Sequence, residues 1–382
     1  MRNKEEIRLQ RVVMALCAIL FAVFSFLFIA KYQSSLLELL YEKVSTGKLQ
    51  YNAYVVAAVI TVALTTIALW INRYTGFKRE WTAFSFMPSA LLLSFFTDID
   101  RSLYTGEYNY QKWVVVFAVG AFAYAAFSFV LRRILFAKIK NIAMSAYRII
   151  WRNLVLFVIL FSLVGFLSNG EENFKREALV ESYYKKGEID KALKVGSLSN
   201  VASKTLTLQR AYILAKEGLL GEKLFEYPQL YGVEGLIPEP EQISPLVSDN
   251  AYTLLGASLL PEESRNDMLK RALNSQTATP ATKDYYLSAL LLERNIVEFV
   301  DAVENLYPDT DKKDLPKHYQ EALILYSDIN QGEFVVDNQL MLEDFKAFKA
   351  LETEHDDSFV RANYVRRKFG HTYWWYYLYG NV

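Results

Sequence analysis

The 382-residue chain has one cysteine, three histidines and no surplus of charge, 42 Lys and Arg standing against 42 Asp and Glu. Each shortage excludes something. Cys17 alone makes no intramolecular disulfide and no cysteine-rich metal cluster. His318, His355 and His371 form no H-E-x-x-H pair and none neighbours the cysteine, so zinc has no recognisable ligand set. Balanced charge argues against nucleic acid as a partner, because nucleic-acid binders usually carry a basic excess. A Gly-rich phosphate loop, a G-x-S-x-G elbow and a dinucleotide fingerprint are also missing, so no cofactor is implied. The acidic string "ETEHDD", Glu352 to Asp357, lacks the spacing of a calcium loop and reads as a solvated turn.

What the chain does have is hydrophobic length, concentrated before residue 168. A bilayer core about 30 Å thick takes about 20 mainly apolar residues in a helix, since open structures leave backbone groups unsatisfied in hydrocarbon. Five stretches qualify: 12–30, 54–71, 81–96, 113–131 and 149–167. Pro88 is expected to kink the third, and the fifth reaches spanning length by including Arg152, with its side chain snorkelling outward. The first exceeds the apolar run of a signal peptide, about 7–15 residues, and "FIAKYQ" offers no small-residue cleavage site, so it reads as an uncleaved anchor. No Asp, Glu, Lys, Arg or His stands at mid-depth in these spans, which disfavours an ion-coupled carrier or proton pump. A passive pore remains open to the sequence, although five spans in one chain make one only by oligomerising.

Small residues at helical spacing, Ala53, Ala57, Thr61 and Thr65 on the second span and Gly120, Ala121 and Ala125 on the fourth, are expected to pack between helices. Leu36, Leu37, Leu40, Tyr41 and Val44 form an apolar stripe that lies on the membrane surface or against the bundle. Cations set the direction. Arg2, Lys4, Arg8 and Arg11 precede the first span; Arg73, Lys78 and Arg79 join the second and third; Arg132, Arg133, Lys138, Lys140, Arg148 and Arg152 lie between the fourth and fifth. These segments are expected on the cytoplasmic side. The opposite loops hold Glu38, Glu42, Asp98, Asp100 and Glu107, and an odd number of spans sends everything after Leu167 outside.

From Glu171 onward the period is helical throughout. "REALVESYYKKGEIDKALKV" has the look of a tetratricopeptide unit, with Leu179 and Tyr183 on one helix, a turn at Gly187 and Ala192 on the next. Looser echoes follow: a helix, Gly218, a helix and Pro228; then Gly256, a restart at Pro261 and Ala272; then a pair ending at Pro308. "GVEGLIPEPEQISP" interrupts the array as a Pro/Gly-rich joint. Three more amphipathic helices follow, one carrying Tyr319, Ala322, Leu323, Tyr326 and Ile329, then 340–351 and 359–369. The fold class is therefore all-α: a polytopic transmembrane bundle (1–168), a tetratricopeptide-like helical-repeat domain (171–335), and C-terminal helices with an aromatic cap (336–382).

That cap is "HTYWWYYLYG", and it supplies the candidate interface residues Tyr373, Trp374, Trp375, Tyr376 and Tyr377, preceded by Arg366 and Arg367. Three readings stay open: the rings close the end of the repeat stack, rest at a lipid headgroup layer, or form a platform for a ligand. The outward carboxylates Asp98 and Asp100 are suited to acid/base work or to a water-facing loop.

Through "LPKHYQEALILY", Leu315 to Tyr326, and "FGHTYWWYYLYG", Phe369 to Gly380, the whole chain resembles an uncharacterised family of bacterial multi-spanning inner-membrane proteins with a tetratricopeptide-like C-terminal region. The resemblance implies a Gram-negative inner membrane and a periplasmic array, and brings no activity or catalytic residues with it. The function expected is a non-enzymatic membrane protein whose periplasmic repeat domain binds a protein or peptide partner, as an envelope scaffold or accessory subunit. The alternative is a membrane enzyme or accessory subunit acting on lipid-linked glycan or envelope precursors.

Overall fold

In a computed structural model of the chain, every regular element among the described residues is helical. The structure describes residues 2–45, 51–77, 79–105, 110–131, 133, 146–197, 202–239, 244, 246–332, 336–354 and 357–380. Lys78, Glu107, Arg132, Lys138, Lys140 and His355, all invoked above, lie outside them. The chain divides into two compact units, Met1–Ala178 and Leu179–Val382.

Four helices of the first unit are long and apolar enough to cross a membrane: Ile7–Tyr32, Ala53–Thr75, Gln111–Val130 and Ala146–Leu167. The first is α1 (Arg2–Leu27) continued by a π-helical stretch, Phe28–Tyr32; next come α2 (Ser34–Ser45) and α3 (Ala53–Thr75), which Asn52 starts by accepting the Tyr54 and Val55 N–H groups. The segment read as a third span, 81–96, is not one α-helix. It is a 3-10 helix, Arg79–Phe86, running into α4 (Met87–Thr97). Pro88 stands in the first turn of α4, where a missing N–H costs nothing, so it starts that helix rather than kinking it. With 8 and 11 residues the composite rises roughly 32 Å, about the thickness of the hydrocarbon core.

A 3-10 stretch is poor structure to show to lipid, and the bundle does not show it. With α5 (Gln111–Val130) and α6 (Ala146–Leu167) the next long helices, the Arg79–Phe86 segment packs against α1, α3 and α6, and α4 packs against α3, α5 and α6. Several polar groups here are satisfied from neighbours: Asn153 accepts the Ala83 N–H at 2.7 Å, Asn72 donates to the Ser85 hydroxyl and the Phe77 carbonyl at 3.2 Å each, and Ser89 donates to the Leu64 carbonyl at 2.8 Å. Irregular backbone is tolerated at membrane depth where protein surrounds it. The least apolar pass is thus the innermost one. Glu80, only 3% exposed, accepts from Arg152, so that arginine caps a buried carboxylate instead of simply reaching for solvent.

The four long helices, and the composite segment between the second and third of them, run in alternating directions. At one end, Lys31 donates to the Tyr54 hydroxyl, Gln33 to the Asn169 carbonyl, and Lys112 to both Asp98 and the Leu167 carbonyl. At the other end stand Asn72, Glu80, Asn153 and Arg152, with Arg11 and Thr82 lining a common cleft. The chain therefore leaves this bundle at the end opposite the one where it enters. There Arg101 makes a bidentate pair with the fully buried Glu177 at 2.8 and 2.9 Å and a further contact with Glu171. Of the expected small-residue contacts, Ala57 and Thr61 are buried on α3; on α5 only Gly120 is, since a methyl there would meet Leu91 at 2.7 Å, while Ala121 and Ala125 are exposed. The stripe after the first span is α2, with Leu36, Leu37 and Leu39 buried and Val44 exposed.

The boundary between the units falls within the helix α7 (Glu172–Lys185). The second unit is a run of short helices, α7, α8 (Ile189–Lys194), α9 (Lys204–Lys216), α10 (Leu220–Lys223), α11 (Ser248–Leu255), α12 (Arg265–Leu273), α13 (Pro280–Leu292) and α14 (Ile296–Leu306), in which α9 packs on α10 and α13 packs on both α12 and α14. Three of the turns close alike. The N–H of Glu188 reaches Tyr183, that of Leu219 reaches Leu214, and that of Asn295 reaches Leu290, each five residues back, over a left-handed residue at Gly187, Gly218 or Arg294. This closure satisfies carbonyls that a helix end leaves open. Gly256 is left-handed too, and there a methyl would come within 2.1 Å of the Thr277 carbonyl oxygen, so the α11 turn admits glycine only. The helix after it starts at Arg265, capped by Ser264, rather than at Pro261. In the described part of the Pro/Gly connector Leu236 and Ile237 are buried, and Lys204 bridges Glu234 and Glu239.

Candidate binding cleft beside the aromatic tail

After α15 (Lys317–Ile329), α16 (Gln339–Glu352) and α17 (Ser358–Phe369), the aromatic string forms a short helix, α18 (Tyr373–Tyr379), started by the Thr372 hydroxyl. Tyr373, Trp374, Tyr376 and Tyr379 are buried. Trp374 packs with its ring tilted against Phe345, Phe348 and Phe369 and donates its indole N–H to the Glu321 carbonyl at 2.7 Å. The Tyr376 hydroxyl donates to the Leu292 carbonyl at 2.8 Å, and Arg294 returns a bond to the Tyr376 carbonyl at 3.0 Å. A left-handed arginine is costly relative to glycine, and this contact with the tail gives Arg294 its use. Burial pushes the hydroxyls of Tyr373 and Tyr376 above their ordinary range.

The junction under the tail is a buried carboxylate. Glu321 accepts from the Tyr373 N–H at 2.7 Å and meets His318 Nδ1 at 2.8 Å, while His318 Nε2 accepts the Phe225 N–H at 3.2 Å. A backbone N–H only donates, so Nε2 carries no proton and the Nδ1 proton points at Glu321. Both side chains are essentially solvent-free. The two strings that carry the family resemblance are thereby tied together: "LPKHYQEALILY" supplies His318 and Glu321, and "FGHTYWWYYLYG" supplies the groups they hold.

On the outside of this junction lies a cleft of about 120 Å³ lined by Ser197, Phe225, Glu226, Tyr227, Pro228, Gln229, Arg366, Gly370, Trp375 and Tyr376. Its two half-exposed rings are braced by cations. Arg366 lies over Trp375 at 5.2 Å, and the buried Arg210 lies over Tyr227 at 5.0 Å. Trp375 also donates to the Ala362 carbonyl at 3.2 Å, and Gln229 to the Leu224 carbonyl at 2.7 Å. Burial raises the Tyr227 hydroxyl, which stays neutral. Rigid aromatic walls with one cation and one carboxylate, Glu226, suit an apolar side chain flanked by polar groups.

The seven candidate residues thus separate. Trp375, Tyr376 and Arg366 line the cleft; Tyr373 and Trp374 are interior; Tyr377 is half-buried; Arg367 is exposed and stands off the cleft. The opposite wall, Phe225 to Gln229, carries a weak signal in the sequence, the aromatic pair of "LFEYPQ", which reads only as a helix terminated by Pro228. Asp98 accepts from Lys112 at 2.7 Å and from the Trp113 indole at 2.8 Å, and Asp100 caps the Ser102 N–H. Among the described residues no three of His, Cys, Asp and Glu gather as a metal site.

Residues 257–380 match the model of a family of unknown function (DUF6057). The matched part runs from just after Gly256 to the end of the aromatic helix, so it contains both linked strings and the Arg366–Trp375 wall of the cleft. No curated protein and no solved structure matches the chain.

Proposed function

We propose that this is a membrane-anchored binding protein: the bundle holds the chain in a bacterial inner membrane with its N-terminus cytoplasmic, and the periplasmic helical unit captures a segment of a protein or peptide partner. The observation that carries the reading is the cleft itself, two rings fixed by guanidinium groups and backbone bonds around a space for one apolar side chain. A pre-ordered aromatic wall loses little conformational freedom on binding, which favours capture of an extended segment. The direction rests on the alternating passes together with the cations Arg11, Arg73, Arg148 and Arg152 at the end where the chain enters. A reporter active only in the cytosol and fused after Val382 stays dark on this reading.

The binding test places a photo-crosslinking amino acid at Gln229 in the full-length protein in cells. One discrete adduct is expected, and Ser197→Trp, which fills the cleft from a surface turn, should remove it without lowering the amount of protein in the membrane. An adduct that survives Ser197→Trp unchanged sinks the cleft as the site. The enzyme alternative draws on the aromatic tail with Asp98 and Asp100; of these Asp98 accepts from Lys112 and Trp113, Asp100 caps the Ser102 N–H, and Trp374 is buried.

A further inference from the structure

A second cleft lies in the membrane unit, independent of the first. It measures about 310 Å³ and is lined by Ile7, Gln10, Arg11 and Met14 of α1, by Asn72 near the end of α3 and by Thr82 of the 3-10 segment. Its chemistry is divided. Ile7 and Met14 form an apolar flank; Asn72 and Thr82, 9% and 1% exposed, form a polar floor; Arg11 is exposed at the mouth. The nearby carboxylate on the 3-10 segment, Glu80, is already held by Arg152. Above this level the outer surface of the same helices is hydrocarbon-like, with Ile19, Val23, Val59 and Val62 all exposed.

From this we infer that the cleft binds the headgroup of an anionic phospholipid, one phosphate taken by Arg11, the glycerol region over Gln10, Asn72 and Thr82, and the acyl chains along the apolar face of α1. The location decides for a lipid. The cleft opens where a bundle with an apolar exterior becomes basic, with Arg73 and Arg148 also exposed at that end, and the surface potential of an anionic leaflet favours each such cation. An exposed cation at the hydrocarbon boundary finds counter-charge in the phosphate layer.

The test uses the full-length chain, stripped of lipid in neutral detergent and titrated with dioleoyl phosphatidylglycerol or dioleoyl phosphatidylcholine, the one-lipid complex being read by native mass spectrometry. Phosphatidylglycerol should be retained over phosphatidylcholine. Arg11→Gln should lower that retention about fivefold, the effect of one Lys or Arg at an anionic surface, and Met14→Trp should block it sterically with the charge intact. Arg73→Gln, outside the cleft, should change it less than either. Equal retention of the two lipids, or retention unchanged in both Arg11→Gln and Met14→Trp, overturns the inference. So does full displacement by millimolar inorganic phosphate, which would make this a free-anion site.

Discussion

In the Met1–Ala178 unit the large side chains left exposed include Val119, Phe122, Phe129, Val158 and Phe166, and the interior holds Asn72, Ser85, Ser89 and Asn153; in the Leu179–Val382 unit the largest interior side chains include Trp374, Tyr285, Tyr319 and Tyr373. The two units answer different solvents. Between helices that face hydrocarbon there is no hydrophobic gain to bring them together, so small residues and short polar bonds supply the specificity. In water the aromatic residues themselves supply it, and most interior polar groups are hydrogen-bonded, although the buried hydroxyls of Tyr285 and Tyr373 have no partner among the described residues. Glu321 and Asn153 show the contrast. Each is a buried acceptor of a backbone N–H, but Glu321 gathers groups from several helices beneath an aromatic layer, whereas Asn153 repairs one irregular stretch of backbone.

Removing the aromatic layer is the strongest way to break the comparison. Trp374→Ala deletes a fully buried indole in contact with three phenylalanines and should cost about 3–5 kcal/mol. Urea unfolding of the full chain in detergent, followed by tyrosine fluorescence and far-UV circular dichroism, should show the Leu179–Val382 transition at much lower urea with the bundle's helicity retained. Loss of both together would mean that the units are not separately stabilised. Next in size is Glu321→Ala, which strands the His318 Nδ1–H and the Tyr373 N–H; at roughly 1–3 kcal/mol for each buried donor it should cost about 3 kcal/mol, and Glu321→Gln should recover part of this by keeping an acceptor. In the other unit Asn153→Ala leaves one N–H, that of Ala83, without its partner, at about 1–3 kcal/mol. The expected sign of that defect is a lower thermal midpoint in detergent. Replacement by Asp, which keeps an acceptor but adds a charge in the bundle, should be no better than Ala.

How much of this was legible in the sequence depended on whether the signal is local. The four long membrane helices are contiguous apolar runs, and the paired helices announce themselves through Gly187, Gly218 and Gly256, since left-handed turns restrict the residue allowed. The composite pass was only half legible. Its apolar content gives a span, but the 3-10 start is set by Asn153 accepting from Ala83, 70 positions apart, and Pro88 looks the same in sequence whether it kinks or starts a helix. Arg152 and Glu80 are separated by 72 positions, so their pairing is likewise invisible. The cleft has one wall in the aromatic tail and the other near Phe225, and no periodicity relates them. Trp374 and Trp375 are adjacent letters with opposite fates, one buried and one lining the cleft, because a helix turns about 100° between them and only the packing partner decides which faces in.

The smallest expected effect tests how far hydrogen bonds offset the burial of a polar group inside the second unit. Asp284 accepts from the Tyr319 hydroxyl at 3.1 Å and from Tyr307 at 3.5 Å, yet burial outweighs these bonds and holds its carboxyl above the usual aspartate range. A carboxyl raised in the folded state binds its proton more tightly there than in the unfolded chain. Its contribution to stability is therefore fully present below the unfolded value and is lost as pH rises through the folded one. Asp284→Asn keeps an oxygen for the tyrosines and removes the titration. Relative to the parent, the variant should gain stability on going from pH 4 to pH 7, read as the difference between their urea midpoints at each pH. A difference that stays constant across that interval would mean that the two tyrosine bonds fully offset burial, and that Asp284 belongs with Glu321 among the carboxylates whose bonds are complete.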